Sequence, residues 1–379
     1  MLPALKPAAL SLADVMESSL AAIRGETNRL ALLPVDGAVV VLVDGLGADA
    51  LKARSGHART LAAGLSGASV IDSGFPTTTA AAIASLATGL PPGQHGLVGY
   101  SVLDSLHDRA VNQLSGWDDR LDPSTWQLAP TLFERASGLG LSATAIGPAR
   151  YRDSGFTRAV LRGARYRDAS SIDDRMALAR ETMGTRDSPG ITYVYVPELD
   201  QAAHSHGWQS PEWTAALETT DAAIRELTSS LGPRQGMLVT ADHGIIDVPS
   251  HSHVLFDTDP GLVDGIRFVV GEPRCLQLHF EPDANDSIRA GVLERWRESE
   301  SDRSWVATRD EAIAAGWFGP VRAEVYPRIG DILVAARKSL AYYDSRAASQ
   351  HGRDMIGQHG SWSPAEMRVP LVRFGAFAR

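Results

Sequence analysis

Unbroken apolar runs, separated by amphipathic stretches, organise the first two-thirds of the chain. Ala38-Val-Val-Val-Leu-Val43 is rich in β-branched residues and shows no polar alternation. That is the pattern of a parallel strand covered on both faces. Similar runs recur at Ala68–Ile71, Leu141–Ile146, Ile191–Val196 and Met237–Ala241. Helical stretches lie between them at Thr79–Thr88, Pro130–Ser137, Ser171–Met183 and Pro211–Leu231. Ser210 before Pro211 is a cap followed by a first-turn proline, and Gly232-Pro233 stops the helix. An earlier helix is expected to start at the capping-box-like Ser11-Leu-Ala-Asp14 and to run to about Gly25. Strand–helix alternation of this kind predicts an α/β fold, a doubly wound and mostly parallel central sheet with helices on both faces. Ligands bind such sheets beyond the carboxyl ends of the strands.

The pattern changes near residue 265. Strand-like runs at Ile266–Val270 and Leu276–Phe280, a helix at Asp286–Glu298, and short strands at Trp305–Thr308 and Asp331–Ala336 predict a small α+β cap. The expected organisation is a catalytic core of residues 1–264 and 346–379 with an insertion at 265–345. A polar, flexible stretch is expected at Tyr343–Gly357, after which Val369–Phe374 returns the chain to the main sheet. There is no internal repeat and no low-complexity segment of note.

Composition narrows the function classes. With 379 residues, 44% apolar and 21% charged, the chain can bury a large core. Its net charge of −9 argues against binding nucleic-acid polymers. The charge leaves anionic small molecules open, because a bound metal reverses the local sign. The single cysteine, Cys275, excludes an intrachain disulfide framework and zinc sites built from several thiolates. The N-terminal stretch Met1–Leu10 has no basic region leading into a long apolar core, and no apolar run is long enough to span a membrane. A soluble, cytoplasmic protein without membrane partners is expected; the oligomeric state is not readable.

The candidate chemistry sits at the ends of the apolar runs. Asp44 directly follows Val43 and precedes Gly45, as either a turn acid or a ligand. The run ending in Tyr195-Val-Pro-Glu-Leu-Asp200 leads to His204, and four residues of helix would put Asp200 and His204 on one face. The run ending in Val239-Thr-Ala leads to Asp242-His243-Gly244. Neighbouring residues on a strand point apart, so a shared ligand here requires an immediate bend, which Gly244 permits. His359 lies in a Gly-flanked loop, Gln358-His359-Gly360. Thr77-Thr78-Thr79 precedes Ala80-Ala81-Ala82, and one threonine either caps the helix or presents a hydroxyl where helix N-termini favour anions.

Taken in order, these features resemble the alkaline phosphatase superfamily, and most of all its type I phosphodiesterase/nucleotide pyrophosphatase branch. The set comprises Asp44, Phe75-Pro76 through Thr79 to Thr88-Gly89-Leu90, His95-Gly96, Asp200 with His204 and Gly207, Asp242-His243-Gly244 and His359-Gly360. The resemblance covers about residue 38 to the C-terminus, with 265–345 similar only in placement. It implies two divalent metal ions, zinc first, with manganese or iron as alternatives. Asp200, His204 and His359 would hold the first ion, and Asp44, Asp242, His243 and the Thr79 oxygen the second. Thr79 aligns with the family nucleophile, four residues after Phe75 and ten before Gly89, and Thr78 ranks next. The implied activity is metal-dependent hydrolysis of a small phosphate-ester substrate, a phosphodiesterase/nucleotide pyrophosphatase reaction through a phospho-threonine intermediate. A phosphomonoesterase or phosphonate hydrolase on the same site is the alternative, and an inactive metal-binding protein the alternative of another class. The chain departs from the family at Ala80-Ala81-Ala82, where many nucleotide pyrophosphatases carry Phe-Pro-Asn after the nucleophile. The phosphate contact made by that Asn is missing here or supplied from elsewhere. No sulfatase signature surrounds Thr79.

Overall fold

A computed structural model describes residues 2–4, 8–66, 69–347 and 350–378 of the chain. Six strands form the central sheet in the order Val372–Gly375, Gln235–Thr240, Gly37–Val43, Gly190–Val196, Ser142–Gly147 and Arg165–Asp168. Five are parallel, and Val372–Gly375 runs antiparallel to Gln235–Thr240 at one edge. Every residue of Gly37–Val43 is buried, so both faces of the sheet are covered there, as the β-branched run predicts. Helices Ala13–Ile23, Leu132–Gly138, Ile172–Thr182 and Pro211–Ser229 pack with the sheet in one apolar core. Ser210 caps the last of these by accepting the Trp213 N–H, with Pro211 at the first position. Thr79–Thr88 is buried at all ten positions, which a helix of threonine, alanine and small apolar residues tolerates without a polar face.

The sheet order positions the site. Gly37–Val43 lies between Gly190–Val196 and Gln235–Thr240, with Val43 beside Val196 and Leu42 beside Thr240. The three strand ends that carry Asp44, Asp200 and Asp242 are therefore adjacent.

Two expectations are corrected. The strand near Ala68–Ile71 is Val70–Asp72, and it pairs antiparallel with Arg368–Pro370 instead of joining the central sheet. Ala68 itself lies outside the described residues, as do Met1 and residues 5–7 of the N-terminal stretch. The expected return strand Val369–Phe374 is two strands: Pro370 ends the pairing with Val70–Asp72, and Val372 begins the edge of the main sheet. Arg165–Asp168 and the hairpin Ser101–Asp104/Arg109–Asn112 are strands that apolar patterning misses, because their sequences are charged and partly exposed. Within the polar stretch 343–357 lie the end of strand Ala341–Tyr343 and a short turn of helix at His351–Asp354; residues 348 and 349 lie outside the described residues.

A second, antiparallel sheet has the order Ile266–Glu272, Cys275–Phe280, Ile332–Ala336, Ser304–Thr308, with helix Asp286–Glu300 against it. Its core continues into the loop before Thr79. Phe75 stacks on Trp362 at 4.7 Å and meets Trp317 edge-on at 4.7 Å.

Near that loop, His95 is buried and neutral. The Leu97 N–H donates to its Nδ1 at 3.2 Å, so Nε2 carries the proton and faces the Ser85 hydroxyl at 3.0 Å. Burial, then the nearby Arg328 charge, push its pKa down to about 3. An unfolded chain takes up this proton near pH 6.5, and the folded one does so only near pH 3. His95 therefore withdraws stability as pH falls from about 6.5 towards 3, roughly a few kcal/mol at the acid limit. Urea midpoints at pH 7 and pH 4.5 should separate further for the native chain than for His95→Gln; equal separations would contradict this.

Candidate active site

Asp44 follows the central strand directly, and its neighbour Gly45 adopts φ +73°, where an added Cβ would meet Asp200 at 3.2 Å. Asp200 and His204 lie on helix Glu198–His206, as four-residue spacing predicts, with Asp200 Oδ2 3.1 Å from His204 Nε2. Asp242 and His243 follow the end of strand Gln235–Thr240, and both are 0% exposed. Gly244 allows their turn, because a Cβ there would sit 1.9 Å from the Ala365 carbonyl oxygen. His359 comes from the distant loop, its ring stacked on His243 at 3.6 Å. Thr79 opens its helix, and its hydroxyl lies 3.2 Å from His243 Nε2.

Each carboxylate has one oxygen held and one free. Tyr195 donates its hydroxyl proton to Asp44 Oδ2, whereas Asp44 Oδ1 is buried without a hydrogen-bond partner. The Gly45 and His243 N–H groups donate to Asp242 Oδ1 at 3.2 and 3.0 Å, and Asp242 Oδ2 is unpartnered. Asp200 Oδ1 is likewise unpartnered beside the His204 contact. The histidines share one arrangement. Each Nδ1 donates to a backbone carbonyl: His243 to Gly244 at 3.0 Å, His204 to Gly357 at 2.8 Å, and His359 to Thr77 at 2.8 Å. In a neutral imidazole this leaves Nε2 as the lone-pair nitrogen, the usual outer support of a metal-ligating ring; His204 Nε2 meets Asp200 instead, and would turn to a cation on losing its second proton. Buried unpartnered carboxylate oxygens are costly, so the donor set fits divalent cations.

The electrostatics agree. Burial pushes the Asp44 carboxyl well above its ordinary range, with added repulsion from Asp242 and Asp200. Asp242 is pushed up to about 6, first by burial. For Asp200 burial also acts upward, but the His204 charge and the hydrogen bond between the two side chains outweigh it and hold this carboxyl low. Burial opposes a proton on His204, and Asp200 reverses that and raises its pKa. Burial brings His243 down to about 4 and His359 to about 3.

All seven residues singled out in the sequence come together. Ligand atoms of Asp44, Asp242 and His243 lie within 4.8 Å of one another, and so do those of Asp200, His243 and His359. His243 is thus in reach of both groups, where the expected division gave it to one. His204 joins through Asp200.

Sequence reasoning missed three supports. Tyr195 holds Asp44. Thr77 ties the nucleophile loop to the His359 loop, donating to the Ser361 carbonyl at 2.8 Å and accepting the Gly360 N–H at 3.0 Å. Glu272, from the second sheet, lies 3.8 Å from His359 Nδ1. The Tyr193-Val-Tyr195 alternation, which puts both rings on one face of the strand, was the available signal for Tyr195. Tyr195→Phe frees a second Asp44 oxygen and should weaken metal affinity about 10- to 100-fold. Metal titration with a competing chelator checks this, and unchanged affinity would remove Tyr195 from the site.

A family model for type I phosphodiesterase / nucleotide pyrophosphatase matches residues 38–362. The chain belongs to this family. Its members are hydrolases acting on phosphoester bonds. An uncharacterized pyrophosphatase/phosphodiesterase of Schizosaccharomyces pombe is 22% identical over 196 residues, covering 48% of this chain and 39% of that protein. The matched region thus spans about two-fifths of that curated relative. The fold also matches murine ectonucleotide pyrophosphatase/phosphodiesterase 5, solved as an inactive variant with AMP, at TM-score 0.67 and 16% identity over 90% of this chain and 88% of that one. The human form matches at TM-score 0.66 and 16% identity, over 89% and 88%. These likenesses establish the alkaline phosphatase-like fold, and the α/β reading of the sequence is borne out. Among the described residues no helix is long and apolar enough to cross a membrane.

Proposed function

We propose that this chain is a two-metal phosphodiesterase of the nucleotide pyrophosphatase type, with Thr79 as nucleophile and phospho-threonine as the covalent intermediate. The observation that carries the proposal is the ring of three half-anchored carboxylates and three Nδ1-anchored histidines around the Thr79 hydroxyl. Asp44, Asp242 and His243 would hold one ion next to Thr79, and Asp200, His204 and His359 the other. Two divalent ions against three carboxylates leave about one positive charge for an anionic ester. When bound, such ions lower the pKa of a neighbouring hydroxyl and neutralise charge on phosphoryl oxygens. Thr79 Oγ attacks phosphorus in line; the new Oγ–P bond forms as the ester P–O bond breaks, and the alcohol leaves with a proton. Water then cleaves the phospho-threonine and restores Thr79.

The oxygen and imidazole donors suit zinc first, with manganese or iron as alternatives. The segment 265–345 is proposed as a cap on this core, a reading supported by the reach of Glu272 to His359. The cytoplasmic placement expected from the sequence is compatible with the single buried thiol, Cys275.

Metal analysis of the purified protein tests the proposal. Two equivalents are expected, and chelation should remove turnover of bis-p-nitrophenyl phosphate until the metal is restored. Full turnover in metal-free protein would overturn it.

A further inference from the structure

Three arginines are buried among the described residues, and two of them are ion-paired: Arg175 with Glu198, and Arg274 with Glu366. Arg328, 7% exposed, is the exception. One of its Nη groups donates to the Gly96 and Trp126 carbonyls at 2.9 and 2.8 Å, and the guanidinium lies 3.6 Å from the centre of the Trp126 ring. Among the described residues no carboxylate lies within ion-pair distance of it, and its Nε and second Nη have no hydrogen-bond partner. Burial lowers its pKa to about 10, so it keeps its charge at neutral pH. A buried charge without a counter-charge is costly.

This guanidinium lines a cleft of about 290 Å3 between the hairpin Ser101–Asp104/Arg109–Asn112, the helix Pro123–Trp126 and the turn Tyr326–Arg328. None of the seven metal-site and nucleophile residues lines it. Leu103, Leu106, Leu121 and Trp126 give the cleft apolar area, and Leu106 is 85% exposed. Its acids are committed or held at a distance. Asp104 is engaged by His107 and Arg109 at 2.8 and 3.1 Å, and Asp122 accepts the Ser124 N–H and hydroxyl. Glu324 is exposed, and its charge acts on Arg328 without contact.

We propose that this cleft is a second ligand site, separate from the Thr79 site, that takes a small monocarboxylate with an apolar body. The free edge of the guanidinium, Nε with one Nη, matches the two oxygens of a planar carboxylate. The leucines and Trp126 cover the body of the ligand. Asp104, Asp122 and Glu324 line the same cleft, so a phosphate dianion meets more repulsion there than a monoanion does.

Calorimetric dissociation constants of the metal-loaded chain for acetate, phenylacetate and phosphate test this. Binding left unchanged by Arg328→Lys belongs to the metals, because lysine keeps the charge and loses the fork. Phenylacetate is expected to bind about tenfold more tightly than acetate, and about tenfold more weakly to Arg328→Lys than to the native chain. Two exposed positions probe the cleft without disturbing the core. Glu324→Gln removes a like charge and should tighten phenylacetate binding about two- to fivefold. Leu106→Ser should weaken phenylacetate binding about threefold and leave acetate unchanged. If Arg328→Lys does not fold, these two variants decide the matter. Absence of phenylacetate binding, binding indifferent to these substitutions, or Arg328-dependent binding of phosphate tighter than that of phenylacetate would overturn the proposal.

Discussion

Thr79→Ala is expected to lower turnover of bis-p-nitrophenyl phosphate by roughly 10^3-fold or more while the metal content stays at the native level. The loss cannot come from the helix, because alanine is the better helix former at a position already followed by three alanines. Nor does the geometry offer an equal substitute. The Thr77 hydroxyl is occupied on both sides, donating to Ser361 and accepting from Gly360, and its carbonyl anchors His359. Thr78, ranked second from the sequence, stands just before the helix in extended conformation, and its hydroxyl lacks the contact with His243 that Thr79 has. Thr78→Ala should therefore retain turnover within about tenfold, a loss far smaller than that of an essential nucleophile. Rates and metal content measured in one preparation decide the matter. Full activity in metal-loaded Thr79→Ala, or abolition by Thr78→Ala alone, would reassign the nucleophile.

What could be read from the sequence divides along local and non-local lines. Gly37–Val43 was legible because a strand buried on both faces reads as an unbroken apolar run, here rich in valine. Asp200 and His204 were legible because four-residue spacing on a helix is a local rule. Arg165–Asp168 was not, because an edge strand of Arg-Tyr-Arg-Asp looks like solvated loop. Val70–Asp72 shows a further limit: its apolar run announces a strand, but its partner, Arg368–Pro370, is nearly the whole chain away. Tyr195 fell to the same limit. A buried aromatic on a strand reads as core, and the carboxylate that accepts its proton is 151 residues distant. The seven candidate ligands came from an ordered set of motifs, whereas the carbonyls and hydroxyls that aim them had no sequence signature.

Glu366→Ala should cost about 3–5 kcal/mol of stability, the range for leaving one partner of a buried ion pair uncompensated. Glu366 and Arg274 are both fully buried and meet through two parallel contacts, Nε to Oε1 at 2.8 Å and an Nη to Oε2 at 2.7 Å. Burial works to raise the Glu366 carboxyl, but the Arg274 charge outweighs it and holds the pKa below the ordinary value. Glu366 thus contributes stability that is present above the unfolded-state pKa and lost as pH falls through the lower folded value. The pair also joins distant parts of the molecule. Arg274 donates to the Lys338 and Leu340 carbonyls beyond the second sheet, and Glu366 accepts the Ser361 N–H at 2.9 Å in the loop that carries His359. Removing the carboxylate leaves a guanidinium without its counter-charge and frees that loop, so metal affinity should fall along with the urea midpoint. Arg274→Met combined with Glu366→Met separates the two effects. Removing both charges should recover much of the stability, since apolar replacements of buried pairs are often neutral. The Ser361 N–H then still lacks its acceptor, and metal affinity should stay below the native value. A Glu366→Ala protein within 1 kcal/mol of native stability would show that the pair is dispensable, and recovery of both properties in the double variant would show that the loop is positioned by other contacts.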